Sequence, residues 1–172
     1  MRVEDLGRLY DYNYWANRHL FGALQALTPE QFTQSVAGSY GSIRNTLVHI
    51  LSAEWGWLDR CGGPPRGDRL DPERYPTLES VVAEWARVEG YVREFLAGLD
   101  DADLSREIEF ALGGGPGHVA QMGELLQQPV FHAVHHRGQV AMLVRMLGVT
   151  PGNFDFVLYA LEASSPPRVA GG

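Results

Sequence analysis

Four stretches of this chain carry apolar residues at helical spacing, and the segments between them are dense in glycine, proline and aspartate. That pattern constrains the fold more than any other feature, because a stripe recurring every three to four residues must be buried against other helices. The first stretch runs from about Val3 to Leu27, with Leu6, Leu9, Tyr10, Tyr14, Leu20, Phe21 and Leu24 on one side, and ends before Thr28-Pro29. The second starts after Gly41 with Ser42 as N-cap and continues to Arg60, where Gly62-Gly63-Pro64-Pro65 opens a loop lasting to Pro76. The third spans Leu78 to Leu99 and is closed by Asp100-Asp101. The fourth covers Val119 to Leu147, stopping at Gly148 with Pro151 beyond. Pro129 falls inside it and either kinks the helix or marks its start.

The predicted architecture is therefore an all-α four-helix bundle with one long connection between the third and fourth helices. Within that connection Ser105 to Leu112 alternates polar and apolar residues, as a short extended piece would, before Gly113-Gly114-Gly115-Pro116-Gly117. A short last helix is expected near Phe154 to Leu161. Residues 1–162 form one domain in this reading, and residues 163–172, with Ser-Ser-Pro-Pro and a final Gly-Gly, form a disordered tail.

With 172 residues and 45% apolar content, the chain is sized for one core. The net charge of −7, with all 14 basic residues arginine and none clustered, argues against nucleic acid or an anionic membrane surface as partner. No apolar run reaches the roughly 18–20 residues of a membrane helix. The acidic N-terminus does not resemble a signal peptide, and the single cysteine, Cys61, builds no disulfide framework. The expected compartment is the cytoplasm.

Six histidines, His19, His49, His118, His132, His135 and His136, are the chemistry-bearing residues. At about 100° per residue, His132 and His136 share the inward arc of the fourth helix with Leu125, Val140, Leu143, Val144 and Leu147. Two imidazoles four residues apart on one face can serve one metal ion; pairing of His132 with His135 is the weaker arrangement. His49 sits at the edge of the second helix's stripe, a position suited to a ligand beside an open cleft and equally to an ordinary boundary histidine. His19 points away from its helix's stripe. Asn13 and Asn17 lie in the middle of the first stripe, where an amide needs partners, so with Glu54 and His135 they are candidates for a shell supporting the ligands. Tyr10, Tyr14, Trp55 and Trp57 are expected near a cavity for a small organic substrate. There is neither a phosphate-binding glycine loop nor a Gly-x-Ser-x-Gly elbow.

The run Phe131-His132-Ala133-Val134-His135-His136-Arg137-Gly138-Gln139-Val140 resembles the His-x-x-x-His-Arg-Gly-Gln core of DinB/YfiT-like proteins. So do Tyr12-Asn13-Tyr14-Trp15-Ala16-Asn17, the segment from Gly41 to Ile50, and Leu147-Gly148 followed by Pro151 and Asp155-Phe156. This resemblance implies an up-down-down-up bundle, often homodimeric. It also implies a divalent metal on His49, His132 and His136, zinc or nickel first, with iron, cobalt, copper or manganese as alternatives. Relatives include transferases and isomerases that use small thiols such as mycothiol or bacillithiol. The implied function is a metal-dependent, small-thiol-dependent transferase, or a hydrolase, with the catalytic acid–base residue unassigned. The alternatives are a non-catalytic metal-binding stress protein and a metal-free oligomerising bundle.

Overall fold

The computed structural model describes residues 1–164. The elements are α1 (Val3–Leu24), α2 (Pro29–Thr33), α3 (Ile43–Arg60), α4 (Leu78–Ala97), β1 (Glu107–Ala111), β2 (Gly117–Gln121), α5 (Met122–Met146) and α6 (Phe156–Ser164). Single 3-10 turns lie at Pro72–Arg74 and Asp103–Ser105. The four long helices correspond to the four periodic stretches, and the bundle is the expected one.

Side-chain contacts give its topology. Tyr10 lies against Leu126 and Asn17 against Arg137, so α1 and α5 run parallel. Phe21 meets Trp85 while Asp11 meets Arg93, so α4 runs antiparallel to α1. His49 meets His132 while Cys61 approaches Arg106, whose carbonyl accepts the Met122 N–H at the start of α5, so α3 is antiparallel to α5. The order is up-down-down-up. Leu6, Leu20, Leu47, Leu51, Val88, Val92, Leu126 and Val140 are almost fully buried at the centre.

Local chemistry sets the helix ends. Ser42 Oγ accepts the Asn45 N–H (3.0 Å) at the start of α3, and Thr77 Oγ1 accepts the Ser80 N–H (3.3 Å) at the start of α4. α1 stops at Leu24, short of Leu27, because Thr28 and Pro29 start the separate one-turn helix α2 through a capping box. α5 begins at Met122 and passes through Pro129 without a break. Proline forfeits the bond to the Leu125 carbonyl, but Leu125, Leu126 and Val130 are locked in the core on either side.

The connection from α4 to α5 is a β-hairpin, with Glu107 opposite Gln121 and Ala111 opposite Gly117. Gly113 and Gly114 have φ of 57° and 75°, the left-handed region that glycine enters freely, so the loop joins two strands. Phe110 rests on Trp57, about two helical turns along α3 from His49. The last helix extends to Ser164, two residues into the segment assigned to the tail. The rest of that tail, residues 165–172, lies outside the described residues. No described helix is long and apolar enough to cross a membrane.

Candidate metal centre

His49 comes from the middle of α3, and His132 and His136 from successive turns of α5, the two helices that pack antiparallel. The Nε2 atom of His132 stands 2.9 Å from that of His49 and 3.1 Å from that of His136. One ligand atom from each residue falls within 4.8 Å of the other two, and this is the one such His/Cys/Asp/Glu group among the described residues. Nitrogens bonded to one tetrahedral ion at about 2.0–2.1 Å stand roughly 3.3 Å apart, so the two spacings to His132 are already close to those around a bound cation.

Hydrogen-bond chemistry tests the fit. His136 Nδ1 lies 2.7 Å from the side-chain oxygen of Gln139, which only accepts, so Nδ1 carries the proton and Nε2 presents a lone pair to the centre. His132 Nδ1 is buried without a partner. Three ring nitrogens converge where neutral imidazoles cannot all donate to one another, and a cation would take up their lone pairs together. The residues fit a divalent metal of the kind imidazole favours.

The electrostatics keep those lone pairs free. Burial lowers His49 to about 3, with the neighbouring His132, His136 and Arg69 adding to it. Burial, then His136 and His135, lowers His132 to about 4. His136 is also lowered, mainly by burial and against the bond to Gln139. All three rings are neutral at pH 7.

Tyr40 covers one side of the centre, its ring stacked 3.6 Å from His49 and edge-on to His136 at 5.4 Å. The turn carrying it is constrained: Gly38 and Gly41 have φ of 93° and 86°, and Ser39 sits at 49°. Ser39 Oγ donates to Gln139 Oε1 (2.9 Å) and meets Thr46 Oγ1 at 3.0 Å, which fastens the turn to both ligand helices.

The residues expected to support the ligands divide. His135 is exposed and touches the amide of Gln139 (3.1 Å), one step removed from His136. Asn13, Asn17 and Glu54 meet one another's partners and bond none of the three imidazoles. Arg137 Nη1 donates to Asn13 Oδ1 (2.5 Å) and Asn17 Oδ1 (2.9 Å). Asn13 Nδ2 and the Tyr14 hydroxyl donate to the two oxygens of Glu54 (3.0 and 2.9 Å). Arg137, 1% exposed, is the centre of this buried network and immediately follows His136 in the chain. Burial raises Glu54 to about 7, opposed by the bonds from Tyr14 and Asn13 and by the charge of Arg137.

Of the aromatic residues expected at a cavity, Tyr10 is core, Tyr14 is core and borders a small cavity between α1 and α4, Trp57 packs on Phe110, and Trp55 lines a larger cleft. His19 is exposed against Trp15, His118 is exposed on β2, and Asp155 is exposed. Cys61 is buried, and burial raises its thiol to about 11, so it is a poor nucleophile. Tyr40, Ser39 and Arg69 were not anticipated. The Gly-Ser-Tyr-Gly turn ahead of Ser42 was the available signal for the first two; Arg69 lies in a loop without periodicity.

The model of the DinB family matches residues 1–168. Protein DinB of Bacillus subtilis (strain 168) is 25% identical over 157 residues, spanning 88% of this chain and 91% of the relative. The uncharacterized protein YizA of the same organism is 22% identical over 150 residues, spanning 87% and 92%. The crystal structure of a DinB-like protein from Bacillus cereus ATCC 10987 superposes with a TM-score of 0.73 at 22% identity, covering 88% of this chain and 97% of that one. At that identity the likeness speaks for the fold.

Proposed function

The chain belongs to the DinB family, and from that premise we propose that it is a metal-dependent enzyme acting on a small organic substrate at His49, His132 and His136. The observation that carries this reading is the ligand set: three neutral imidazoles and, among the described residues, no fourth protein ligand. A purely structural zinc site normally has four, whereas three leave a position for water or substrate. Neither Glu54, nor Asp155, nor His135 joins the group. Zinc or nickel is the proposed ion. When bound, it would supply Lewis acidity that lowers the pKa of a coordinated thiol or water.

What the chain itself does is position and shield. Gln139 holds the His136 ring in the tautomer that leaves Nε2 unprotonated. Tyr40 covers the His49 face and restricts access of water. Arg137, held by Asn13 and Asn17, anchors the α5 turn that presents His136. We take thiol transfer to an electrophile as the reaction, ahead of hydrolysis, on the strength of the family resemblance. The compartment we assign is the cytoplasm, where a lone buried Cys61 stays reduced. We also propose a homodimer, joined through the outer face of α5.

Metal content by mass spectrometry, on protein purified without a histidine tag, tests the centre. About one equivalent is expected in the parent and in His19→Ala, and almost none in His49→Ala/His132→Ala. Equal metal in all three refutes the assignment. Thiol consumption against a panel of electrophiles then separates transfer from hydrolysis.

A further inference from the structure

A cleft of about 630 Å³ lies between α3, α4 and the loop joining them, within the size range of small-ligand sites. Arg66, Arg69, Arg74 and Arg87 line it together with Trp55 and Tyr75. In a chain of net charge −7, this is a local reversal of sign.

The loop is fastened along α3 on both sides of His49. Arg44, five residues before His49, pairs with Glu73. Ser52, three residues after it, receives Arg66 Nη1 on its carbonyl (2.7 Å) and on Oγ (3.2 Å), and the Leu70 N–H also reaches its Oγ (3.2 Å). The Arg66 backbone N–H donates to Asp59 (3.1 Å). Arg66 lies so close to Gly56 that a Cβ there would meet its guanidinium at 2.6 Å. Ser52 and Gly56 lie within about 60° of His49 around α3, so the loop passes the level of the metal centre on the side of the helix that carries His49.

The arginines are not equally engaged. Arg87 is committed to Glu84, to the Tyr91 hydroxyl (2.6 Å) and to the face of Trp55 (4.6 Å). Arg66 keeps a buried Nε without a partner. Arg69 and Arg74 are exposed, and their guanidinium groups have no ion pair or hydrogen bond among the described residues. The cleft also holds Asp68, Asp71 and Glu84, so four arginines against three carboxylates leave one net positive charge. That balance suits one or two carboxylates and is too weak for a polyphosphate or nucleic acid. Free, planar guanidinium groups match carboxylate geometry.

We propose that this cleft is the specificity pocket of the three-histidine centre, taking the carboxylate end of a small anionic substrate whose reacting group lies at His49, His132 and His136. The proposal rests on the metal-enzyme reading above, and two probes separate their fates. Succinate, carrying carboxylates alone, is titrated into metal-free protein and followed by amide NMR shifts. Mercaptosuccinate and neutral 2-mercaptoethanol are titrated into cobalt-loaded protein and followed by thiolate-to-cobalt absorption.

Succinate is expected to shift residues 66–75, with binding weakened about tenfold or more in Arg69→Gln/Arg74→Gln and unchanged in Arg8→Gln on the distant α1. Mercaptosuccinate is expected to saturate the cobalt signal at about tenfold lower concentration than 2-mercaptoethanol, an advantage lost in the double variant. Absent succinate binding, or binding indifferent to the two substitutions, overturns the pocket while leaving the metal centre intact. Arg-dependent succinate binding to protein that takes up no cobalt overturns the centre, and with it the pocket's role in specificity.

Discussion

At the scale of single residues, the network around Arg137 makes the sharpest demands on the fold. A guanidinium buried to 1% exposure faces two asparagine oxygens and, through Asn13, a buried carboxyl. Removing one member of such a set strands the others, which costs far more than the set contributes net. Arg137→Ala should lower unfolding stability by about 3 kcal/mol or more in urea denaturation, and combining it with Asn13→Ala should cost much less than the two single losses together. Glu54 adds a pH dependence. In the folded protein its proton leaves at about 7, against 4.5 for an ordinary glutamate. Between those values the native state holds a proton that the unfolded chain has lost. Stability through Glu54 is therefore full below about 4.5 and declines as pH rises through about 7, by roughly 3 kcal/mol in all. Glu54→Gln should flatten that decline in thermal melts between pH 5 and 8; an unchanged slope would assign it to another group. The two asparagines were visible in the sequence as amides inside an apolar stripe. Their partner was visible too, though unread: Arg137 lies within about 60° of Val130, Ala133, Val140 and Val144 on α5. Spacing along one helix announces a buried cation but does not say which residues of another helix will answer it.

At the scale of elements, what could be read from the chain was what repeats every 3.6 residues or stops such a repeat. α3 shows both, since Ser42 caps it and Gly62 ends it, and its apolar stripe left His49 on the boundary where the structure holds it half-buried. The hairpin was half visible. β1 alternates between exposed and partly buried residues, whereas β2 is exposed at four of its five positions and offers no period to detect. α2 was hidden because five residues are too few to show a stripe. The α3 cap bears directly on the metal centre, since the first turn of α3 also anchors the Tyr40 turn through Thr46. Ser42→Ala removes the acceptor of the Asn45 N–H at a site that is 2% exposed. It should cost about 1 kcal/mol or slightly more in urea denaturation, while Ser42→Gly should cost a few tenths, because glycine leaves the terminus open to water. Equal stability of serine and alanine proteins would mean the cap bond contributes nothing net.

For the whole molecule, the outer side of α5 is an unbalanced surface. Phe131, Val134, Met142 and Met146 are 58%, 45%, 57% and 76% exposed. On a helix they fall within an arc of about 120°, with Gly138 between them and the ligand face to one side. A Cβ at Gly138 would meet open space, so no packing within the chain explains a small residue there, whereas close approach by a second copy would. Such a stripe on an acidic bundle is what a subunit interface exposes when the partner is removed. A twofold contact would set α5 against its own copy and place both metal centres on the helices that form the interface. The proposed dimer is thus joined to function through α5, whose inner face carries His132 and His136. Met142→Glu/Met146→Glu puts two carboxylates into each half of that contact and, by symmetry, four into the whole. In sedimentation velocity the parent should run as a dimer at micromolar concentration and the double variant as a monomer, with metal content unchanged. A parent that is monomeric at all accessible concentrations would remove the dimer, and the apolar face of α5 would then need another partner. A variant that remains dimeric would move the interface to another surface.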